Sequence, residues 1–175
     1  MKLEQEMQYT IYSHQYWMDK AIQYICNGDN EVPVCALVVK DNKLISIATN
    51  KVESQNDPTA HAEILAIREA SNILSNWRLN GCTLYVTLEP CTMCKGAITN
   101  SRISTLVFGA YDTSNLITRH CEERSDEAIS LRKTSIDCFV RTEVLPRNDM
   151  NIEIIGGILG LEAGALLKDF FLARR

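Results

Sequence analysis

The alternation of apolar, β-branched runs with amphipathic helical segments is the sequence feature that most restricts the fold. Residues 34–39 and 44–48 predict a β-hairpin, because Asp41 and Asn42 between them favour a turn. Further strands are predicted over residues 82–88, 104–108 and 152–155, and helices over 13–26, 60–74, 91–100 and 159–173. Strands that alternate with helices form a sheet with helices packed on its faces. We therefore expect an α/β fold with one mixed five-stranded sheet.

Length and composition favour one globular domain over a disordered chain or a membrane protein. The chain has 175 residues, of which 46% are apolar and 23% charged, so we expect a single domain over residues 1–175. No apolar run approaches the roughly 20 residues that a membrane span needs, and the first residues lack the pattern of a secretory signal. Seven cysteines without such a signal favour a reducing compartment. We therefore expect a cytoplasmic protein that binds no membrane.

Charged residues are concentrated in one segment. The net charge of −4 excludes a protein covered with positive charge, although it permits a local basic patch. Residues 119–149 carry six basic and seven acidic residues, and residues 119–135 have too few apolar ones for an interior element, which is typical of a solvated loop or a short exposed helix. The mixed sign of these charges favours an ordinary surface segment over a loop that binds nucleic acid. We expect a charged insertion there, exposed or disordered.

Two short segments carry the side chains with catalytic chemistry, and each opens a predicted helix after a loop. The first is His61-Ala62-Glu63, and the second is Pro90-Cys91 followed by Cys94. On a first helical turn Cys91 and Cys94 face the same side, and two thiolates with one imidazole suit a zinc ion whose fourth position is open to water. Either motif alone is a weak signal, but their joint occurrence favours catalytic zinc. The combined pattern is the signature of the zinc deaminases.

The start of a helix also affects the chemistry of these residues. Its partial positive charge favours the thiolate and predicts lowered cysteine pKa values. Zinc lowers the pKa of a bound water to about 7, so that hydroxide forms at neutral pH. Over the open end of a first turn, Glu63 reaches the same space as His61. Glu63 is therefore predicted to accept a proton from the water and to pass it on.

Beyond the two motifs, the chain resembles the bacterial tRNA-specific adenosine deaminases. The segments that carry the resemblance are YWMDKAI (16–22), EVPV (31–34), NDPTAHAEILAIREA (56–70), NWRLNGCTLYVTLEPCTMCKGAI (76–98), SRISTLVFGAYD (101–112) and IGGILGLEAGALLKDFF with two arginines (155–175). The resemblance implies a three-layer α/β/α sandwich of the cytidine deaminase-like fold. It implies one zinc ion per subunit on His61, Cys91 and Cys94, with Glu63 as the proton shuttle. The implied reaction is the hydrolytic deamination of adenosine to inosine at the wobble position of an arginine tRNA anticodon, by a cytoplasmic homodimer.

The resemblance also implies a set of residues that bind the substrate. Asn50 would hydrogen-bond the adenine, and Ala62 would offer its backbone N–H to the base. Val32 and Pro33 would form part of the pocket wall, and Asp112 would lie near the nucleotide backbone. The residues of the final helix that would approach the anticodon loop are Phe170, Phe171, Arg174 and Arg175. Structural interpretations stay open for several of these: Asn50 as a turn residue, the two phenylalanines as one core and one exposed residue, and the two arginines as favourable charges at a helix end.

Two departures from the family pattern leave other functions open. Cys35 stands where the family usually has glycine, so the neighbouring strand must accept a side chain. Residues 119–149 replace a shorter family segment and look like the translated product of a mobile repeat. One alternative is therefore a folded zinc protein that the insertion has made inactive. The other is a deaminase of guanine or a free nucleoside that uses the same zinc chemistry.

Overall fold

Helices and strands alternate along the residues that the structure, a computed structural model, describes: 13–25, 30–112 and 152–174. The strands are β1 (Cys35–Lys40), β2 (Lys43–Thr49), β3 (Cys82–Leu88), β4 (Thr105–Ala110) and β5 (Glu153–Ile155). The helices are α1 (His14–Tyr24), α2 (Val52–Gln55), α3 (Ala62–Ile73), α4 (Thr92–Asn100) and α5 (Gly160–Leu172). The predicted α/β class is confirmed. The predicted insertion over residues 119–149 lies outside the described residues.

The five strands form one mixed sheet in the order β2-β1-β3-β4-β5. β1 is antiparallel to β2 and β3, whereas β3, β4 and β5 are parallel to one another. The β1–β2 hairpin turns through Asp41 and Asn42, whose φ angles of 48° and 58° match the two-residue turns that suit the twist of a hairpin. Because β3 and β4 are parallel, their carboxyl ends lie at the same edge of the sheet, which is where ligands bind in α/β proteins.

Helices cover both faces of the sheet, which gives the expected three layers. On one face, the small residues Ala62, Ala66 and Ala70 of α3 join a core cluster with alternate residues of the strands. On the other face, Trp17 and Met18 of α1 join a second cluster with the strand residues that point the opposite way. Ser13 caps α1, since its hydroxyl accepts the N–H of Tyr16 at 3.2 Å. Among the described helices, none is long and apolar enough to span a membrane.

Gly109 in β4 determines how closely α5 approaches the sheet. A Cβ atom at this position would lie 2.7 Å from the carbonyl oxygen of Thr87 and 3.0 Å from the Cβ of Ala163. Such distances are shorter than packed atoms tolerate, so a side chain here would push α5 away. The glycine thereby lets α5 pack against β4 and carry its last turn to the edge of the sheet.

The sheet accepts the side chain of Cys35 without opening a path to solvent. Cys35 is fully buried in the cluster beneath α1, and burial raises the pKa of its thiol to about 12. Its backbone N–H donates to Thr87 Oγ1 at 3.1 Å. Cys82 is likewise buried. We conclude that Cys35 and Cys82 are core thiols.

Candidate active site

The three predicted metal ligands lie at the starts of two neighbouring helices. His61 is the N-cap residue of α3 and Cys91 is the N-cap residue of α4; both have extended backbone angles, and neither side chain makes a capping hydrogen bond. Cys94 lies in the first turn of α4 and is fully buried. Side chains at N-cap positions project beyond the helix end, so the imidazole and the Cys91 thiol are free to meet the Cys94 thiol.

The spacing of the three ligand atoms fits a zinc ion. His61 Nδ1 lies 3.6 Å from Cys94 Sγ and 3.8 Å from Cys91 Sγ, and all three ligand atoms lie within 4.8 Å of one another. Zinc bonds of about 2.3 Å to sulfur and 2.0–2.1 Å to nitrogen at tetrahedral angles place these atoms about 3.6 Å apart. The donor set and its geometry therefore match a tetrahedral site with three protein ligands.

The pKa of Cys94 corrects one sequence-based expectation. Burial raises the pKa of this thiol, and the nearby Glu63 and Cys91 raise it further. The predicted lowering by the helix start is therefore wrong for Cys94 in the absence of a metal, because burial and the adjacent carboxylate outweigh the dipole of one helical turn. A bound cation favours the thiolate, so metal binding and the deprotonation of Cys94 are coupled.

Glu63 is a nearly inaccessible carboxyl beside the cysteines, with 4% of its surface exposed. Burial raises its pKa, while a hydrogen bond from its own backbone N–H, the charge of His61 and the Cys94 thiol partly oppose this rise. A raised pKa favours the protonated carboxyl, so Glu63 can donate a proton as well as accept one. The position of Glu63 in the first turn of α3 places this group at the metal site.

A cavity of about 540 Å³ is lined by His61 and Cys91 of the three candidate ligands and opens at the carboxyl ends of β3 and β4. The predicted site residues that line it are Val32, Asn50, His61, Glu63, Cys91, Asp112, Phe170 and Arg174. Other predicted residues, Pro33, Ala62, Cys94 and Phe171, do not line it, and Arg175 lies outside the described residues. The cavity wall also contains residues that the sequence analysis missed, namely Asn30, Glu31, Val34, Val52, Glu53, Leu88 and Glu89. Two of these residues are acidic and directly precede residues that the sequence analysis had named, since Glu31 precedes Val32 and Glu89 precedes Pro90. An acidic side chain at such a position is the sequence signal by which both could have been identified.

Glu89 connects the loop before Cys91 to the rest of the site. Its carboxylate is buried, lies 3.0 Å from the ammonium of Lys95 and accepts the backbone N–H of Asp112 at 3.3 Å. The ion pair is only partly exposed, so its geometry holds the start of α4 against the end of β4. Glu89 is thus placed to stabilise the position of Cys91.

The last turn of α5 forms the outer wall of the cavity. The guanidinium of Arg174 lies 3.6 Å from the ring centroid of Phe170 and donates to Asn30 Oδ1 at 3.1 Å. It also donates to the backbone carbonyl of Phe170 at 3.5 Å, as expected for a cation at a helix end. Phe171 packs edge-on against Phe170 and is 54% exposed. The position of Arg174 therefore agrees both with contact to a substrate in the cavity and with a favourable charge at a helix end.

Comparison with known proteins places the whole chain among the deaminases. A family model described as MafB19-like deaminase matches residues 12–175. The tRNA-specific adenosine deaminase of Buchnera aphidicola subsp. Baizongia pistaciae (strain Bp) is 52% identical over 165 residues, which are 93% of this chain and 91% of that protein. The chain spans only 64% of another relative, the tRNA-specific adenosine deaminase of Buchnera aphidicola subsp. Schizaphis graminum (strain Sg), at 55% identity over 54% of this chain.

Solved structures agree with these relatives. A structure from a study of A-to-I editing by tRNA:A34 deaminases superposes with a TM-score of 0.58 at 32% identity, over 79% of this chain and 87% of the other. The guanine deaminase of Bacillus subtilis superposes with a TM-score of 0.57 at 32% identity, over 71% of this chain and 87% of the other. The fold and the His/Cys/Cys group are thus those expected of a deaminase. Together with the extent of the sequence matches, they show that the chain belongs to the family of tRNA-specific adenosine deaminases.

Proposed function

We propose that this chain is a zinc-dependent hydrolase that converts adenosine to inosine at the wobble position of a tRNA anticodon, in an arginine tRNA. The observation that carries the proposal is the group of His61, Cys91 and Cys94, of which the first two line a cavity beside the buried Glu63 carboxyl. The relatives named as tRNA-specific adenosine deaminases support tRNA as the substrate, and the tRNA:A34 deaminase structure supports the wobble position. The choice of an arginine tRNA is supported by the family resemblance.

His61, Cys91 and Cys94 would hold one zinc ion per subunit. Zinc in such a site supplies the Lewis acidity that makes water a nucleophile at neutral pH. The two cysteines contribute negative charge and the imidazole contributes a neutral donor, which keeps the site close to electrically neutral. Since the ligands occupy two helix starts, the relative position of α3 and α4 sets the geometry of the site.

Glu63 would carry out the proton transfers of the reaction. Adenosine and water give inosine and ammonia: a bond forms between the water oxygen and C6, and the bond between C6 and the amino nitrogen breaks. Glu63 would accept the first proton that the water loses and deliver it to N1 of the base. It would then take the proton of the new hydroxyl at C6 and transfer it to the departing amino group, which leaves as ammonia. The raised pKa of Glu63 suits both directions of transfer.

The cavity would hold the reactive base after it has left its stack. Asn50 would hydrogen-bond the base, and Val32 would form part of the wall around it. The family resemblance also assigns the N–H of Ala62 and the side chain of Pro33 to this pocket, although neither residue is among those that line the cavity. The N–H of Ala62 has no partner within its helix, because Ala62 is the first residue of α3. Extrusion of a base costs least in a single-stranded loop such as an anticodon.

The tRNA surface would extend from the cavity across the end of α5. Phe170, Phe171 and the two terminal arginines would contact neighbouring nucleotides through stacking and phosphate pairing, and Asp112 would lie near the backbone. The active form would be a homodimer in the cytoplasm, where its substrate is. Sedimentation of the purified protein tests the dimer, and a single monomeric species would contradict it.

A second candidate function is the deamination of guanine. The likeness to the guanine deaminase of Bacillus subtilis supports it, because it extends over 87% of that chain. Such an enzyme needs a cavity for one free base and no surface for RNA. The cavity volume accommodates a purine and so does not decide between the two substrates.

One set of assays separates these functions. The zinc-loaded protein is incubated with an anticodon stem-loop that carries adenosine at the wobble position, and in parallel with free adenosine and free guanine. We expect inosine only in the stem-loop and one zinc ion per chain by metal analysis. Turnover of free guanine in its place would support the second function. Zinc bound without any turnover would support the inactive zinc protein.

A further inference from the structure

Glu31 connects the first turn of α2 to the side chain of Asn50. Its Oε1 accepts the backbone N–H of Ser54 at 2.8 Å. Its Oε2 accepts the backbone N–H of Glu53 at 3.3 Å and the Nδ2 group of Asn50 at 3.2 Å. One carboxylate at the cavity wall thus has three donors, of which two belong to the backbone and fix its position.

The carbonyl oxygen of the Asn50 side chain is left without a protein partner among the described residues. Asn50 is only 8% exposed, and its backbone N–H donates to the carbonyl of Val34 at 3.1 Å, which fixes the residue directly after β2. Its Oδ1 accepts no hydrogen bond from the described residues. Among the described residues, every buried side-chain oxygen and nitrogen has a hydrogen-bond partner. Because Oδ1 has none, this atom must be accessible. Asn50 lines the cavity.

The charge of Glu31 determines which way the amide points. An ionised carboxylate only accepts hydrogen bonds, so it must face the amino group of Asn50 and not its oxygen. The reverse orientation would place Oδ1 against Oε2 and would lose the hydrogen bond as well. Burial tends to raise the pKa of Glu31, but its hydrogen bonds from Ser54, Glu53 and Asn50 lower it overall, which keeps the carboxylate charged at neutral pH.

We propose that Glu31 is a positioning residue that fixes the Asn50 amide with its carbonyl oxygen toward the cavity, so that the site selects a nucleotide that offers a hydrogen-bond donor there. The inference rests on the proposed function, because it assumes that the cavity holds a nucleotide. On adenosine the donors are the 6-amino group and the ribose hydroxyls. A phosphate oxygen or the O6 atom of guanine would be repelled at this position.

The first test measures the contact in the free protein, so it does not depend on the function. We expect Glu31→Gln and Asn50→Asp each to lower the urea midpoint of unfolding. The double variant, in which the amide and the carboxylate exchange places, should recover at least about half of the combined loss. Glu69→Gln removes the same charge from an exposed position on α3 and serves as the control, with little shift. If the double variant loses the sum of the two single losses, the two side chains are not coupled and the proposal is overturned.

The second test identifies the donor, in a Glu63→Gln background that prevents turnover. Stem-loops are compared that carry adenosine, purine riboside or 2′-deoxyadenosine at the reactive position. Removing the donor that Asn50 reads should weaken binding about tenfold, and this penalty should nearly disappear when Glu31→Gln is added. A loss with purine riboside identifies the amino group, and a loss with 2′-deoxyadenosine identifies the ribose.

Two results would contradict the inference, and a third would contradict only the proposed function. The inference is overturned if neither analogue binds more weakly than adenosine, or if the penalty is the same with and without Glu31→Gln. If the Glu63→Gln protein binds an adenosine stem-loop no better than a uridine stem-loop, the proposed function fails. In that case the urea measurements still decide whether Glu31 holds Asn50.

Discussion

His61 and Cys91 occupy N-cap positions at which serine or aspartate ordinarily stabilises a helix. Neither makes the capping hydrogen bond, although each retains the extended backbone of a cap. A cap of this kind contributes about 1 kcal/mol. The chain forgoes that stabilisation at two helices and gains an imidazole nitrogen and a thiol that are free to bind a metal.

Substitution of the Cys91 ligand should therefore have opposite effects on metal binding and on stability. Cys91→Ser removes a zinc ligand and restores a good N-cap, so we expect the zinc content to fall and the metal-free protein to gain about 0.5–1 kcal/mol in its free energy of unfolding. Metal analysis and urea unfolding of the metal-free proteins measure the two effects. Cys94→Ser is the matched control, because it lies within the helix and should lose zinc without any gain. A loss of stability in Cys91→Ser would show that the position is not a cap.

Substitution of Glu63 is the most direct test of the proposed proton shuttle. Glu63→Gln keeps the size of the side chain but cannot accept a proton, so we expect kcat for stem-loop deamination to fall by about 10²–10⁴ while the zinc content is unchanged. The exposed Glu69→Gln should keep normal activity. A Glu63→Gln protein that produces inosine at the normal rate would exclude the proton shuttle.

The lowered pKa of Glu31 predicts a dependence of stability on pH. Its folded pKa lies below the ordinary value of 4.5, because its hydrogen bonds outweigh the effect of burial. A group of this kind stabilises the fold above pH 4.5, and its contribution is lost as the pH falls through the folded pKa. We expect the difference in urea midpoint between the wild type and Glu31→Gln to be present at pH 7 and to decrease on acidification. A difference that stays constant down to acid pH would mean that the carboxylate charge does not contribute.

At the scale of elements, the sequence predicted long segments and missed a short one. The bounds of β3 agree fully with the prediction, because its seven residues are all apolar or β-branched and the turn residues on either side mark where the strand begins and ends. Helix α2 was not predicted, because four residues are too few to show a helical period and because its first turn is held by Glu31, more than twenty positions earlier. β4 continues through Gly109 to Ala110, beyond the predicted end at residue 108, because the partner strand and α5 fix the glycine.

The packing of α5 on β4 can be tested at Gly109. A side chain there would collide with Thr87 and Ala163, so we expect Gly109→Ala to lower the free energy of unfolding by about 1–3 kcal/mol. Gly96→Ala in α4 is the matched control: its Cβ would meet no atom within 4 Å, and it should stabilise the helix by about 0.5–1 kcal/mol. Urea unfolding measures both. Equal effects of the two substitutions would show that α5 does not depend on the glycine.

At the scale of the whole molecule, the site is assembled at one edge of the sheet from elements far apart in sequence. The candidate metal ligands lie at the starts of α3 and α4, while the outer wall among the described residues comes from α5. All three candidate ligands lie outside residues 119–149. We therefore expect a protein in which this segment is replaced by a short glycine-serine linker to bind one zinc ion per chain. Metal analysis checks this, and a loss of zinc would show that the segment supports the site.

The sequence by itself determined the alternation of helices and strands, the three zinc-type ligands and the acidic residue beside them. These features are local, since each depends on a periodicity or on a spacing within a few residues. Tertiary structure alone decided which polar groups surround the cavity. Glu31 meets Asn50 because β1 and β2 pair along their length, and Arg174 meets Asn30 because α5 packs on the sheet. The burial that raises the pKa of Cys94, against the local effect of its helix, likewise exists only in the packed molecule.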